Sequence, residues 1–443
     1  MIYQIIRKLR STNSRTEKEK ILSGLSGKEE DLFKAVCIAT LEPRITYYVI
    51  EYEQSIVHEG SITLETAINS LYHLTNRVMT GHAAINFLEN LDRKLSEDDS
   101  EVLKLIISGD LKCGVGTKTI NKVWPNLVYE HPYMRCSSYN EKNLSKIKFP
   151  CFSQTKEDST YCDIVVDETG NLTYMSRYGK YRDNFSHFIN DNDFKTGRGF
   201  VYQGECLVLQ DNGEYMPRKS GNGYLESDNV DSDKIVYVLW DMIPLDDWKK
   251  GECKIPYLIR FNQVRKFIEK INNEKIILID SIIINNVDEA IDHFKSNVAK
   301  GKEGTVIKNL DTVWKSHTSP NQVKLKIEFE CELLVTGIHY SKDTKYEGMI
   351  GSLPCESSDG LVEVSVGSGL TDEDRLMTES QIVGKIITVK SNDLITSEKN
   401  DKKYSLFLPR YIEIRNDKKE ADSFNRILEQ RDAFVKTLQA IKN

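Results

Sequence analysis

The hydrophobic pattern of this chain changes period twice, and those two changes constrain its fold more than any single motif does. Over residues 1–132 apolar side chains recur at helical spacing, as in Val102, Leu103, Ile106 and Ile107, with few alternating runs. Over 152–328 short β-like runs alternate with helical ones. CFSQTK, CDIVVD, LTYMSR, FVYQGECLVL, IVYVLWDMI, KIILIDSIII and GTVIKN read as strands, and 258–272 and 287–300 as helices. From 329 onward ELLVTGIHY, LVEVSVGSG, GKIITVKS and LFLPRYIEIR read as short strands joined by polar loops, followed by a helix near 422–442. At 443 residues the chain has room for about three compact units. The expected architecture is multidomain: an all-α domain over 1–132, a mixed α+β domain over 133–328, and a small β-barrel with a terminal helix over 329–443. The polar, lysine-bearing stretch closed by Pro150 reads as a linker.

Bulk properties exclude several classes. The longest apolar run, 235–245, is broken by Asp241, so no stretch reaches the roughly 20 residues of a membrane span. The amino terminus charges quickly and has no small-residue cleavage site, which leads to an expected cytoplasmic location, the host cytoplasm for a viral chain. Nine cysteines contain no CxxC pair, so neither a zinc site nor a disulfide framework is expected. A net charge of -7 argues mildly against nucleic acid, although basic runs occur within 7–20 and 142–148 and at Lys402, Lys403 and Arg410. In DLKCGVGTKTINKVWP, Gly114 and Gly116 precede an expected helix over 118–124 with Thr117 as its N-cap. Its free amides, with Lys118 and Lys122, can hold a phosphate, or the glycines merely form a tight turn between packed helices.

The middle segment carries polar residues at strand ends that packing alone does not require. Lys156 ends FSQTK, with Gln154 on the same side of the strand and Asp158 beyond the turn. Such a lysine is ordinarily a solvated surface residue. Lys324 and Lys326, two apart in VKLKIE, share a strand face, and two amines beside a third are expected to lower its pKa while holding phosphate. Glu205 and Glu303 each adjoin a glycine and suit a ribose hydroxyl or a metal ion. Tyr237 and Trp240 offer an aromatic platform to a purine. Together these residues compose a nucleotide site with a nucleophile, an aromatic platform, acids and phosphate-binding lysines.

On these residues the chain resembles the ATP-dependent DNA ligases, closest to the T-even bacteriophage type, within the covalent nucleotidyltransferase superfamily. Lys156 and Asp158 match the K-x-D-G-x-R signature, and Ser176 and Arg177 in SRYG resemble the next motif. Trp240 with Asp241 resembles the aromatic-Asp pair, and Glu303 with Lys308 the E-G-x-x-x-K motif. PRKSGNG, with Arg218 and Asn222, is a long-form match to the phage-type ligases. The resemblance implies Lys156 as the nucleophile that takes AMP from ATP. It implies Gln154 reading the adenine amino group, and Arg177, Glu205, Trp240, Glu303, Lys324 and Lys326 around the nucleotide. Glu205 and Glu303 would hold Mg²⁺, and Arg415, Asp417 and Lys418 would orient pyrophosphate. It further implies an oligonucleotide-binding fold for the barrel and a monomer that encircles nicked duplex DNA, with no membrane partner. The signature's glycine and arginine are here Ser159 and Tyr161, and its D-G-E is Gln203, Gly204, Glu205. Tyrosine at 161 offers a single hydroxyl near the nick where arginine is bidentate. An RNA ligase or capping enzyme of the same superfamily, or a nick-binding protein with impaired sealing, are the alternative readings.

Overall fold

The computed structural model describes residues 1–443 except 50, 183–184, 186–190, 195–196, 217, 226, 228–229, 342–345, 397–402 and 441–443. Lys402 and the side chain of Arg218 therefore lie outside the described residues. Two compact units are present: Met1–Pro132 with Cys162–Ile164 and Thr173–Ser186, and the remainder of the chain from Tyr133 onward.

Within Met1–Pro132 the described regular elements are helices, among them Ile2–Arg10, Gly27–Leu41, Gly81–Lys94 and Glu97–Ser108. The Glu97–Ser108 helix shows how the local sequence sets its limits. Ser96 caps its start by accepting from the Asp99 amide, and three acidic residues occupy the first turn, where the helix dipole favours them. Gly109 ends it in the left-handed region at φ 70°. Val102, Leu103 and Ile106 are fully buried against Ile6, Leu9, Phe33 and Leu88. The short helix after the glycines runs Thr117–Val123, and its N-cap is Gly116 rather than Thr117, with no side-chain cap bond. Two basic residues of the amino-terminal run hold the loop before it: Lys18 Nζ donates to the Cys113 carbonyl at 2.7 Å and Arg10 Nε to the Lys112 carbonyl at 3.2 Å.

The second unit is built on two sheets. The first runs, in order, Arg135–Ser138, Thr318–Lys326, Gly304–Asn309, Cys151–Lys156, Ser281–Ile284. The expected linker is thus partly wrong: Arg135–Ser138 adds as a parallel edge strand on Thr318–Lys326, using backbone donors that composition does not reveal. In the second sheet Phe200–Val208 lies antiparallel to Ile235–Pro244, which pairs in parallel with Ile276–Leu278. The helices Tyr257–Ile271 and Val287–Ala299 fall where the periodicity places them. Phe152 from the first sheet meets Leu207, Val236 and Val238 from the second, with Tyr257 and Phe261 from the helix, in one apolar cluster.

The opposite face of the first sheet buries Ile307, Val323 and Leu325 against Ile291 and Phe294 of Val287–Ala299. That core continues through Ile327 and Phe329 into the strands Phe329–Val335, Ile350–Glu356, Ile386–Ser391 and Arg410–Ile414. Phe329–Val335 pairs antiparallel with both Ile350–Glu356 and Ile386–Ser391, and the helix Phe424–Ala440 closes the chain. LFLPRYIEIR is two strands, Tyr404–Phe407 and Arg410–Ile414, because Leu408 at φ 53° and Pro409 interrupt the ladder.

Arg260, fully buried on Tyr257–Ile271, makes a bidentate pair with Asp241 at 2.8 and 2.9 Å. Removing one partner strands a buried charge, so Arg260→Met is expected to lose roughly 3–5 kcal/mol in urea unfolding followed by tryptophan fluorescence. A loss below about 1 kcal/mol would show that the pair does not anchor this helix.

Candidate active site

Strand register places the chemistry. Gly304 lies opposite Lys156 on one side and Lys326 on the other, and Val306 lies opposite Gln154 and Lys324. Residues directly opposite share a sheet face. One face therefore presents Lys156, Gln154, Lys324, Lys326 and Lys308, while the other carries Thr155, Thr305, Ile307 and Leu325 toward the core. Gly304 has φ 151°, and a Cβ there would stand 2.1 Å from the Leu325 carbonyl oxygen, so no other residue fits between the two lysine strands.

The amine of Lys156 is ion-paired with Glu303, and both side chains are partly exposed. Burial alone pushes the Lys156 pKa down, but Glu303 and then Glu205 outweigh it, and the group is raised above the ordinary lysine value. This reverses the sequence expectation that Lys324 and Lys326 depress Lys156. The depressed amine is Lys326, lowered by burial and by its neighbours Lys324 and Lys156 against the pull of Glu303. Lys308 is buried, lies 3.7 Å from the centroid of the Tyr257 ring, and is lowered to about 8 by desolvation.

Glu205, opposite Val238 in the second sheet, accepts from the Ser159 hydroxyl at 2.9 Å. Its strand is bulged against the next: Gly204 pairs with Leu239 and Gln203 with Asp241, leaving Trp240 as the extra, half-buried residue. A bulge re-aims a side chain, and Trp240 packs beside Val236, Val238 and Phe152. Tyr237 does not join it. Tyr237 is 1% exposed, donates to the Tyr202 carbonyl at 3.0 Å and fills the space beside Gly204, on the face opposite Glu205. The expectation of Tyr237 as part of a purine platform is corrected accordingly.

Gln154 is buried with both ends of its amide engaged: Nε2 donates to Ser281 Oγ at 3.0 Å, and Oε1 accepts from the Tyr257 hydroxyl at 2.9 Å. Neither Tyr257 nor Ser281 was among the sequence candidates, because a tyrosine opening a helix carries no local mark of its distant partner. Arg177 lies in the other unit, exposed on the Ser176–Lys180 turn. In the carboxyl-terminal sheet region Arg415 grips Asp417 with two bonds of 2.8 and 2.7 Å and also pairs with Glu332, which Lys418 approaches at 3.5 Å. The Arg415 guanidinium holds the Asp417 carboxyl at about 2.

Among the residues expected to meet DNA, Gly114, Gly116 and Lys118 are exposed, Thr117 is half-buried, and Lys122 pairs with Glu19. Tyr161 is corrected. It is 5% exposed, and its hydroxyl accepts from Gln203 Nε2 at 2.7 Å, so the side chain faces the interior rather than a nick.

Residues 134–326 match the model of the ATP dependent DNA ligase domain, and residues 343–415 that of the DNA ligase OB-like domain. The DNA ligases of Enterobacteria phages T4 and T6 are each 28% identical over 486 residues, covering 96% of this chain and 98% of theirs. The chain belongs to the ATP-dependent DNA ligase family. The DNA ligase of Thermococcus fumicolans is 26% identical over 52% of this chain and 45% of its own. The solved structure Pmar-Lig_PreS3 shares the fold at TM-score 0.74 and 22% identity, covering 94% of this chain and 99% of that one. The lysine face of this ligase thus lies inside the matched ATP-dependent domain, and Arg415 closes the matched OB-like segment. No described helix is long and apolar enough to cross a membrane.

Since Glu303 is the largest influence raising Lys156, Glu303→Gln is expected to lower the Lys156 pKa. The pH profile of Lys156 modification by an amine-reactive reagent, followed by peptide mass spectrometry, should shift to lower pH. An unmoved profile would mean that the ion pair does not hold the ammonium form.

Proposed function

We propose that this ligase seals nicks in duplex DNA through an AMP adduct on Lys156. The observation that carries the reading is the row Lys156, Gly304, Lys326 with Glu303 at its end: one amine flanked by acids and phosphate-binding amines on a single face. In the first step the free amine of Lys156 attacks the α-phosphorus of ATP. The Nζ–P bond forms as the bond to pyrophosphate breaks, and the ammonium proton leaves to solvent. Lys324 and Lys326 hold the α-phosphate and stabilise its developing charge, and Trp240 stacks on the base. Gln154 reads the adenine amino group with the second lone pair of its Oε1, the first being taken by Tyr257. Arg177 contacts the nucleotide or the nick, and Arg415, Asp417 and Lys418 orient the departing pyrophosphate. AMP then passes to the 5′-phosphate of the nick, and the 3′-hydroxyl displaces it.

Mg²⁺ fits the acids present. Glu205 and Glu303 both act on the Lys156 amine, and two carboxylates completed by phosphate oxygens and water are a donor set that the ion takes. When bound there it neutralises triphosphate charge. The three domains 1–132, 133–328 and 329–443 would surround the duplex as a monomer in the cytoplasm. Gly114, Gly116, Thr117, Lys118 and Lys122 would contact backbone phosphate without base reading.

The test is sealing of nicked duplex DNA against nicked RNA, with ATP against GTP. Sealing of DNA with ATP alone is expected, abolished in Lys156→Ala, which still binds the nick. Binding should fall on the order of 10³-fold between about 50 and 200 mM salt if about six phosphates are contacted. A flat salt response would contradict backbone recognition, and sealing of RNA in preference to DNA would move the chain to the RNA-joining branch.

A further inference from the structure

Two positions at which this chain departs from the ligase signature, Tyr161 and Gln203, meet each other in the fold, and a third, Ser159, meets the retained acid Glu205. Ser159 donates to Glu205 at 2.9 Å, and Gln203 Nε2 donates to the Tyr161 hydroxyl at 2.7 Å. The other end of the same Gln203 amide accepts from the indole N–H of Trp314 at 2.8 Å. Tyr161, Gln203 and Trp314 are all buried, so this three-residue chain of hydrogen bonds is shielded from water, where each bond is strongest.

Its location is specific. Gln203 lies opposite Asp241 at the bulge that leaves Trp240 as the extra residue. The Tyr161 ring sits 5.9 Å from that of Trp240 at an angle of 48°, and is itself backed edge-on by Tyr133 at 5.0 Å. The bulge takes Trp240 out of the ladder; its carbonyl lies 2.8 Å from the Tyr257 hydroxyl, and its ring direction depends on what packs against it. Tyr161 supplies part of that packing, with Val236, Val238 and Phe152, and Gln203, clamped by Trp314, determines where Tyr161 stands. A guanidinium at 161 with a carboxylate at 203 would be charged groups in this space; here a neutral hydroxyl and a neutral amide satisfy each other.

We propose that Tyr161, Gln203 and Trp314 form a positioning relay that sets the Trp240 ring for the nucleotide base, so that Tyr161 serves ATP binding rather than the nick. The relay rests on the reading of Trp240 as the base-stacking residue. None of the three touches the reacting atoms; they act through Trp240.

The experiment uses the full chain and measures initial rates of AMP transfer from α-labelled ATP to the protein across an ATP titration, together with affinity for nicked duplex. Tyr161→Phe keeps the ring and removes the hydroxyl; Gln203→Met keeps the volume and removes both bonds. Tyr161→Phe should raise half-saturating ATP roughly three- to ten-fold, the effect of one buried hydrogen bond, and Gln203→Met, which removes two, by at least as much, with the maximal rate and nick affinity within about two-fold in each. The double variant should equal Gln203→Met alone, because the two changes remove the same bond. A general loss of packing would instead lower the maximal rate and the melting temperature together. If Gln203→Met does not fold, Tyr161→Phe decides by itself. If Trp240→Ala raises half-saturating ATP while Tyr161→Phe leaves it unchanged, the relay is overturned and the stacking reading stands. If Trp240→Ala changes nothing, the stacking reading fails, and the relay with it. A loss of nick affinity in Tyr161→Phe, with ATP saturation unmoved, would return Tyr161 to the DNA.

Discussion

The site depends on one backbone constraint: Gly304 lies between the strands that carry Lys156 and Lys326, in register with both. A strand alternates its faces with period two, so a slip of one residue would bring Thr155 and Leu325 to the polar face and bury both lysines. Two features hold the register. Ile307, Val323 and Leu325 must face Phe294 and Ile291, and at Gly304 the carbonyl of Leu325 leaves no room for a Cβ. The core that continues into the carboxyl-terminal strands therefore stabilises the same alignment that lines up the amines.

Charge then differentiates residues of one type. Lys156, Lys326 and Lys308 stand on a single face, yet Lys156 is raised, Lys326 is lowered and Lys308 falls to about 8. The difference follows from neighbours. Lys156 has two carboxylates in reach, Lys326 has two amines beside it, and Lys308 is buried over the face of the Tyr257 ring, where desolvation dominates. In the proposed mechanism Lys156 would react only after losing the proton that Glu303 helps it keep, so the ion pair would set the acid limb of the reaction.

Much of this was readable from residue order alone, and the failures have physical causes. The helices 257–271 and 287–299 and most strands follow from periodicity, because each buries one face. Tyr237 and Trp240 are three apart on one strand, so alternation already opposes a shared platform; the bulge at Trp240 is what no pattern discloses. The direction of the Lys156 shift was missed because two lysines were visible nearby in sequence while the contacts with Glu303 and Glu205 depend on the fold. Ser159, Tyr161 and Gln203 looked like three separate departures from a signature. Only the fold shows that Tyr161 and Gln203 satisfy each other, with Trp314 on the other end of the Gln203 amide, and that Ser159 meets Glu205.

The proposed chemistry requires Lys156 to be the residue that takes AMP. The direct measurement is a peptide map of the protein after reaction with α-labelled ATP and Mg²⁺. A single acid-labile label is expected on the peptide bearing Lys156, absent from Lys156→Ala. Label retained in that variant, or found on Lys308 or Lys326, whose amines are the more readily deprotonated, would contradict it.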